Sequence, residues 1–184
     1  MSRSLYIIGA PGTGKSSLMR RVVSGLGLSW GPEERVWREL WVNHLLSPGG
    51  VQVGVSLGRE RGDFSGTDAL SMSAQPRVIE WLHAAEMPEY VVAEGMRLSS
   101  PRFLIELDSV APLTLVYLSD DDQVTDERRS QREGGDRLSA TFVKQARTRS
   151  ANSADAMDAL GYPVLRFHGC PLDAITEKVL EELS

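Results

Sequence analysis

The chain has 184 residues, of which 41% are hydrophobic and 24% charged, and these proportions exclude disordered, collagen-like and coiled-coil proteins. The formal net charge of −5 excludes a protein that coats nucleic acid with its whole surface but permits a local basic strip. No apolar run approaches the roughly 20 residues that span a bilayer, and the single cysteine, Cys170, cannot form an internal disulfide. We therefore expect a single cytoplasmic domain over residues 1–184, with no membrane partner and no structural zinc.

The first half of the chain alternates strand and helix patterns. A buried strand is predicted over Leu5–Ile8, followed by a glycine loop and a helix from Ser16 to Gly25. A second helix is predicted from Pro32 to Leu46, with its tryptophans facing the core. Alternating side chains then predict a strand with one buried face over Val51–Leu57, which leads into a polar loop at 58–72.

The second half of the chain continues this alternation. The predicted elements are a helix from Pro76, strands over Tyr90–Ala93 and Leu113–Leu118, a long polar helix to about Ala159 interrupted at Gly134–Gly135, a strand over Val164–Phe167 and a helix from Pro171. Strands that alternate with helices imply right-handed crossovers and a parallel sheet covered on both faces. We therefore expect a doubly wound α/β fold with a five-stranded parallel sheet.

The strongest motif lies between the first strand and the first helix. Residues 9–16 fit G-x-x-x-x-G-K-[ST], a loop whose backbone N–H groups converge on phosphate oxygens at a helix N-terminus. Lys15 would reach the β- and γ-phosphates of ATP, and the Ser16 hydroxyl would bind Mg²⁺. The candidate nucleotide-binding residues here are Gly9, Ala10, Pro11, Gly12, Thr13, Gly14, Lys15, Ser16 and Ser17.

The rest of the sequence narrows the class of nucleotide-binding protein. The guanine-reading pattern Asn-Lys-x-Asp is absent, and no Asp-x-x-Gly switch motif directly ends a predicted strand. The chain is also short for a motor ATPase that carries a separate helical domain. These features favour a kinase of the P-loop NTPase class that uses ATP and Mg²⁺.

A second motif ends the third predicted strand. The segment 91–97, Val-Val-Ala-Glu-Gly-Met-Arg, resembles the third-strand motif of small P-loop nucleoside and nucleotide kinases. The resemblance implies that Glu94 holds a Mg²⁺-bound water or orients the acceptor hydroxyl, although Asp is commoner there, and it makes Arg97 a candidate substrate contact. The alternative is that Glu94 is a surface carboxylate that caps the strand end.

A basic segment follows the fourth predicted strand. Residues 127–132 resemble the lid helix of the same kinases, which implies that Arg128 and Arg132 clamp phosphates. Seven basic residues stand against two acidic ones between Arg128 and Arg149, and such cations suit the charge of a transferring phosphoryl group. We expect a short helical lid at about 128–149, hinged at Gly134–Gly135. A solvated helix face is the alternative for any single arginine.

The polar loop after the second predicted strand is the candidate acceptor segment, because ligands bind beyond the carboxyl ends of parallel strands. Asp68 or Asp63 could accept the proton of the acceptor hydroxyl, and Arg59 or Arg61 could bind an acceptor phosphate. The alternative is that Thr67 caps a helix that extends to Met72. The candidate substrate residues are Arg59, Asp63, Phe64, Thr67, Asp68, Arg97 and Arg137, and the candidate catalytic residues are Lys15, Asp68, Glu94, Arg128 and Arg132.

The wording of this segment, LGRERGDFSGTDALSM, resembles phage-type kinases that phosphorylate the hydroxymethyl group of 5-hydroxymethyluracil in DNA. The resemblance implies a DNA partner, a host-cytoplasm location and a base that leaves the duplex stack to reach the cleft. Two alternatives stay open. The acceptor could be a free nucleoside or nucleotide, or the chain could be a regulatory NTP-binding module without an acceptor.

Overall fold

The computed structural model describes residues 2–38, 40–59, 64–131 and 138–183. Strands and helices alternate along most of the chain, as predicted. The elements are β1 (Arg3–Gly9), α1 (Lys15–Gly25), β2 (Ser29–Trp37), β3 (Leu40–Leu46), β4 (Gln52–Leu57), a 3-10 helix (Gly66–Ala69), α2 (Ala74–Ala84), β5 (Tyr90–Glu94), α3 (Pro101–Val110), β6 (Leu113–Ser119), α4 (Asp122–Ser130), α5 (Ala140–Ala159), β7 (Val164–His168) and α6 (Leu172–Leu183).

One sheet of seven strands organises the described residues, in the order β2-β3-β4-β5-β1-β6-β7. The five strands from β4 to β7 in this order are parallel, whereas β2 and β3 form an antiparallel hairpin on β4. The predicted doubly wound α/β class is confirmed. The predicted five parallel strands are present, but the sheet is mixed because the hairpin adds two more.

Helices cover both faces of the sheet. Helices α1 and α6 pack together over one face, around a core that contains Leu5, Ile7 and Val92. Helices α2, α3 and α5 cover the other face, where Tyr6, Phe103 and their neighbours are fully buried. Among the described residues, no helix is both long and apolar enough to cross a membrane.

The helix predicted from Pro32 to Leu46 is wrong, because this segment forms the β2–β3 hairpin. Its apolar residues recur at helical spacing, but Leu40 and Val42 are buried on one sheet face as alternate residues of a strand. The backbone turns at Arg38, whose φ of 34° lies in the left-handed region. The pairing of β3 with β4 outweighed the helical period of the local sequence. The outer strand β2 carries Pro32 and a charged run at 33–35.

Helix α3 was not predicted, although its start carries a local signal. The Ser100 hydroxyl accepts a hydrogen bond from the backbone N–H of Phe103, and Pro101 occupies the first turn, where no N–H partner is needed. Phe103, Leu104 and Leu107 then form a fully buried face. The cap and the apolar spacing together define this helix.

The predicted lid at 128–149 divides between two helices. Its start belongs to α4, and its end belongs to α5, whose Val143, Ala146 and Ser150 are buried. Residues 140–149 therefore belong to a helix that contacts the sheet, and the lid itself stays a prediction. The predicted hinge at Gly134–Gly135 lies outside the described residues.

Candidate active site

The glycine loop connects β1 to α1 at the carboxyl edge of the sheet. Gly12 and Gly14 have φ values of 90° and 91°, which favour glycine. A Cβ on Gly12 would lie 2.6 Å from the Thr125 carbonyl oxygen, so α4 can pack against the loop only with glycine there. The Lys15 ammonium donates to the Ala10 carbonyl at 3.0 Å, which folds the lysine back over the loop.

Ser16 and Glu94 meet where β1 and β5 end side by side. The Ser16 hydroxyl donates to Glu94 Oε1 at 2.6 Å, and the Ser65 hydroxyl lies 3.4 Å from the same oxygen. Glu94 is buried, and its Oε2 has no hydrogen-bond partner among the described residues. The interpretation of Glu94 as a surface carboxylate is therefore wrong.

This pair fits Mg²⁺. The cation prefers hard oxygen ligands and keeps several sites for phosphates and water, and a buried carboxylate oxygen without a partner offers one such ligand. A hydroxyl next to it offers a second. Within the described ranges, no group of three or more His, Cys, Asp or Glu side chains forms an alternative metal site. Ser16 and Glu94 would therefore hold the cation jointly with the nucleotide.

Thr67 lies in the interior and links three elements. Its hydroxyl donates to the Glu94 carbonyl at 2.8 Å and lies 3.1 Å from the Tyr6 hydroxyl. Burial raises the pKa of Tyr6, so its phenol stays protonated in the folded protein. Thr67 is fully buried, so it has no access to a substrate. The 3-10 helix begins at Gly66 and ends at Ala69, so the alternative in which Thr67 caps a helix to Met72 is wrong.

Asp68 fastens the acceptor segment to the residues after β5. Its Oδ1 accepts hydrogen bonds from the backbone N–H groups of Met96, at 2.7 Å, and Arg97, at 3.1 Å. A Cβ on Gly95 would lie 3.0 Å from Asp68 Oδ2, so glycine permits this approach. Asp68 also borders the small pocket over the glycine loop, which contains Lys15 and Ser16.

A cavity of about 690 Å³, here called the acceptor cavity, adjoins that pocket through Asp68 and Phe142. Its size lies in the range of small-molecule sites. Arg97 contributes from the segment after β5, and Arg149 from α5. The polar lining residues are Asp68, Gln75, Arg97, Ser99, Ser100, Gln145, Arg149, Asn152 and Ser153, and the apolar ones are Met72, Met96, Pro101 and Phe142.

The candidate substrate residue Phe64 lines the pocket over the glycine loop. Its ring packs edge to face on Phe142, with 5.9 Å between ring centroids, and it is 38% exposed. Both rings line the pocket over the glycine loop, and Phe142 also lines the acceptor cavity. The neighbouring candidate Asp63 lies outside the described residues, as does Arg61.

A second cavity, of about 330 Å³, lies on the other side of the glycine loop, between the ends of β6 and β7. Thr13, Gly14, Ser17 and Phe167 are among the residues that line it. Arg128 also lines it and pairs with Asp120 at 2.7 Å. We call it the base pocket. Sequence reasoning missed Phe167, although the end of a parallel strand is where ligands bind.

Two further arginines of the basic segment, Arg129 and Arg147, have acidic partners in the structure. Arg129 was counted among the basic residues but not predicted as a site residue. It is buried and pairs with Asp126 at 2.7 Å. A Cβ on Gly12 would lie 3.2 Å from Arg129 Cγ. Arg147 pairs with Asp122 at 2.6 Å. The candidates Arg132 and Arg137 lie outside the described residues.

Arg59 lies away from the acceptor cavity. Its guanidinium stacks on Trp41, 4.0 Å from the ring centroid, and its Nε lies 3.3 Å from the Glu33 carboxylate. It borders a third cavity, of about 240 Å³, which reaches Ser16 and Glu94 from the side of the β2–β3 hairpin. We call this cavity the hairpin pocket.

Comparison with known proteins agrees with this architecture. Residues 1–180 match the family described as P-loop Nucleotide Kinase3. The chain belongs to this family of P-loop kinases, and it is an ATP-dependent phosphotransferase. No curated protein sequence gives a significant match.

Two solved structures illustrate the shared fold. A gluconokinase from Sinorhizobium meliloti 1021 superposes with a TM-score of 0.55 at 17% identity, covering 98% of this chain and 91% of its own. A sugar kinase from Janibacter sp. HTCC2649 gives a TM-score of 0.52 at 13% identity, covering 98% of this chain and 94% of its own. Identities this low show a common fold only.

Proposed function

We propose that the protein transfers the γ-phosphoryl group of ATP to a hydroxyl group of a small acceptor held in the acceptor cavity. The observation that carries this proposal is that the cavity adjoins the glycine-loop pocket through two residues, Asp68 and Phe142. An acceptor in the cavity therefore has a direct path to the phosphate end of a nucleotide bound on the loop.

In this proposal the residues around the glycine loop bind the phosphates, the nucleobase and the metal. The loop N–H groups and Lys15 bind the phosphates, and the base pocket beside Arg128 takes the nucleobase. Ser16 and Glu94 hold Mg²⁺, which neutralises phosphate charge when bound. When an acceptor fills the acceptor cavity and a nucleotide fills the loop pocket, the two ligands exclude water from the reacting groups.

The proton of the acceptor hydroxyl needs a base. Asp68 is the better placed carboxylate, because it borders both the loop pocket and the acceptor cavity. Its Oδ1 is occupied by two backbone N–H groups, so Oδ2 is the oxygen that would take the proton. Glu94 accepts the hydrogen bond of Ser16, and we assign it to Mg²⁺ binding.

The lining indicates a polar acceptor. Arg97 and Arg149 would bind an anionic or hydroxyl-rich group, and the amides of Gln75, Gln145 and Asn152 can donate and accept hydrogen bonds. A nucleoside, a nucleotide or a sugar acid satisfies this chemistry. The names gluconokinase and sugar kinase, carried by fold neighbours, place sugars and gluconate among the compounds to test.

The second candidate acceptor is 5-hydroxymethyluracil in DNA. The pair of Phe64 and Phe142 supports it, since these rings offer an extruded base a stacking surface beside the loop. The charge distribution supports it less. Arg128 and Arg147 are paired with carboxylates, which reduces the basic strip on which salt-dependent DNA binding would rely.

The test is an acceptor panel with labelled ATP and Mg²⁺. Nucleosides, nucleotides, sugars, gluconate, 5-hydroxymethyluridine and an oligonucleotide that contains 5-hydroxymethyluracil are each added to the native protein. We expect a phosphorylated product from a small acceptor and none with the Lys15→Ala variant. Product from the oligonucleotide alone would favour the DNA acceptor, and ATP turnover that ignores every acceptor would favour a regulatory NTP-binding module.

A further inference from the structure

Tyr6 brings a hydroxyl group into the core of the sheet. Its neighbours along β1, Leu5, Ile7 and Ile8, are apolar and buried, and Tyr6 itself is fully buried. Its ring packs edge to face on Phe103, with 6.2 Å between ring centroids. A phenylalanine would make the same ring contact without the free-energy cost of burying a hydroxyl, so packing alone does not account for the tyrosine.

The Tyr6 hydroxyl belongs to a chain of hydrogen bonds that ends at the main chain of Glu94. Thr67 has one hydroxyl proton, and it donates that proton to the Glu94 carbonyl at 2.8 Å. The 3.1 Å contact between the two hydroxyls is therefore a hydrogen bond that Tyr6 donates and Thr67 accepts. The backbone N–H of Leu98 interacts with the same phenol oxygen. Tyr6 thus links β1 to the acceptor segment and to the residues that end and follow β5.

Thr67 anchors the 3-10 helix of the acceptor segment. This helix has four described residues, of which Thr67 is the buried one. Short 3-10 helices have poor hydrogen-bond geometry of their own, so their position depends on outside contacts. Two glycines permit a close approach here, because a Cβ on Gly66 would lie 2.7 Å from the Glu94 carbonyl oxygen and a Cβ on Gly95 would lie 2.7 Å from Thr67 Oγ1. The hydrogen bonds of the Thr67 hydroxyl therefore help to fix where the segment lies.

From these contacts we infer that Tyr6 is a positioning residue for phosphoryl transfer, which acts through Thr67 on Asp68. Asp68 follows Thr67 directly in the chain, and its Oδ1 is held by the N–H groups of Met96 and Arg97. A shift of Thr67 would therefore strain those bonds and displace Oδ2 from the acceptor hydroxyl. Misplacement of a reacting group by about 1 Å can lower a rate about 10²-fold. This inference rests on the proposed function, in which Asp68 is the base.

The first test is the steady-state kinetics of Tyr6→Phe, which keeps the ring and removes only the hydroxyl. With the best acceptor from the panel, we expect kcat to fall about tenfold and the KM for ATP to stay within about twofold, at a temperature where the variant is fully folded. Thr67→Val should act in the same way, because it removes the partner hydroxyl at nearly constant side-chain volume. Thr67→Ser keeps a hydroxyl and should restore most of the activity.

A double-mutant cycle with Asp68→Asn tests whether Tyr6 acts through that carboxylate. Once the base is removed its placement no longer matters, so Tyr6→Phe should change kcat by less than about twofold in the Asp68→Asn background. The matched control is Ser4→Ala. Ser4 lies near the start of the same strand, is fully buried and donates to the Ala111 carbonyl at 2.8 Å, so its loss should destabilise the fold to a similar extent without lowering kcat.

Amide hydrogen exchange, followed by NMR, provides a second readout that needs no acceptor. The amide protons of Met96 and Arg97 are the two that Asp68 binds. In Tyr6→Phe they should exchange severalfold faster than in the native protein, because the carboxylate that holds them is less firmly placed. Ser4→Ala, which acts at the other end of β1, should leave their exchange unchanged.

The inference is overturned if Tyr6→Phe keeps the native kcat, if it lowers kcat by the same factor with and without Asp68→Asn, or if Ser4→Ala lowers kcat as much. Native exchange rates of the Met96 and Arg97 amides in Tyr6→Phe overturn it as well. If the protein phosphorylates no acceptor of the panel, the proposed function fails, whereas the exchange measurement still decides whether Tyr6 holds Asp68 in place. The two failures are therefore distinguishable.

Discussion

The Asp68 carboxylate accepts a 2.7 Å hydrogen bond from the backbone N–H of Met96, and this bond ties the acceptor segment to the strand that ends at Glu94. An Asn side chain at 68 could still accept that bond through its carbonyl oxygen but could not take a proton. We expect Asp68→Asn to lower kcat by roughly 10²–10⁴-fold with little change in the KM for ATP. Steady-state kinetics measures both.

The companion variant Asp68→Ala separates chemistry from positioning. It removes the acceptor of two backbone N–H groups, so it should also lower the free energy of unfolding by about 1–3 kcal/mol, which Asp68→Asn should not. Full activity in Asp68→Asn would assign the base to another group, with Glu94 as the next candidate.

Glu94→Gln should raise the Mg²⁺ concentration needed for half-maximal activity. The glutamine can still accept the Ser16 hydrogen bond, but it removes the carboxylate charge that suits a divalent cation. Ser16→Ala should shift the same midpoint, because it removes the hydroxyl ligand. An unchanged Mg²⁺ midpoint in Glu94→Gln would leave that carboxylate without a metal role.

Lys15→Ala should abolish phosphoryl transfer and leave the fold intact. The ammonium donates to the Ala10 carbonyl in a half-buried position, so its removal opens no cavity in the core. By analogy with other charge-stabilising donors, the loss should reach about 10²–10³-fold or more in kcat. Circular dichroism and the Tm provide the control for folding, and native-like activity would contradict the role given to the loop.

Arg149→Gln and Arg147→Gln are a matched pair on one helix. Arg149 lines the acceptor cavity, so its loss should raise the KM for an anionic acceptor about tenfold, whereas Arg147 lies in an exposed ion pair with Asp122 that contributes about 0–1 kcal/mol. Kinetics with the best acceptor from the panel gives both values. Equal effects of the two variants, combined with a steep salt dependence, would instead support a DNA acceptor.

Tyr6 should give the protein an alkaline instability that the Tyr6→Phe variant lacks. Burial raises the pKa of Tyr6 in the folded state. The contribution of the protonated phenol to the free energy of unfolding is therefore fully present below the unfolded pKa near 10, and it is lost as the pH rises above that value because the unfolded chain then ionises more readily. The free energy of unfolding of the native protein should fall relative to Tyr6→Phe by up to about 1.4 kcal/mol per pH unit. Urea unfolding between about pH 9 and about pH 12 measures the difference, and parallel curves would contradict it.

Sequence patterns predicted the parts of the fold that depend on neighbouring residues. The strand–loop–helix context of residues 9–16 and the strand ending at Glu94 are local, and both are present in the structure. The prediction failed for the hairpin because Trp37, Leu40 and Trp41 satisfy a helical period, while the pairing of β3 with β4 joins residues that are up to 15 positions apart, as in Val42 and Leu57.

The acceptor cavity was only partly predictable for the same reason. Its Asp68 and Arg97 belong to motifs, but Arg149 enters from α5, whose position is set by packing on the sheet. The resemblance to a lid helix and the cluster of basic residues placed Arg149 at the end of the expected lid. Arg59 shows the converse, since its place in the chain favoured the acceptor while stacking on Trp41 holds it in the hairpin pocket.

The outer strand of the hairpin, β2, also determines which strand edge the sheet exposes on that side. A parallel sheet that stopped at β4 would present a row of unpaired backbone groups to other chains, and such edges promote aggregation. β3 pairs with that row, and the outermost strand β2 makes a poor template itself, because Pro32 has no N–H to donate and Glu33, Glu34 and Arg35 place charges along its length. The same strand that borders the hairpin pocket through Trp30 thus closes the sheet against strand exchange between copies of the protein.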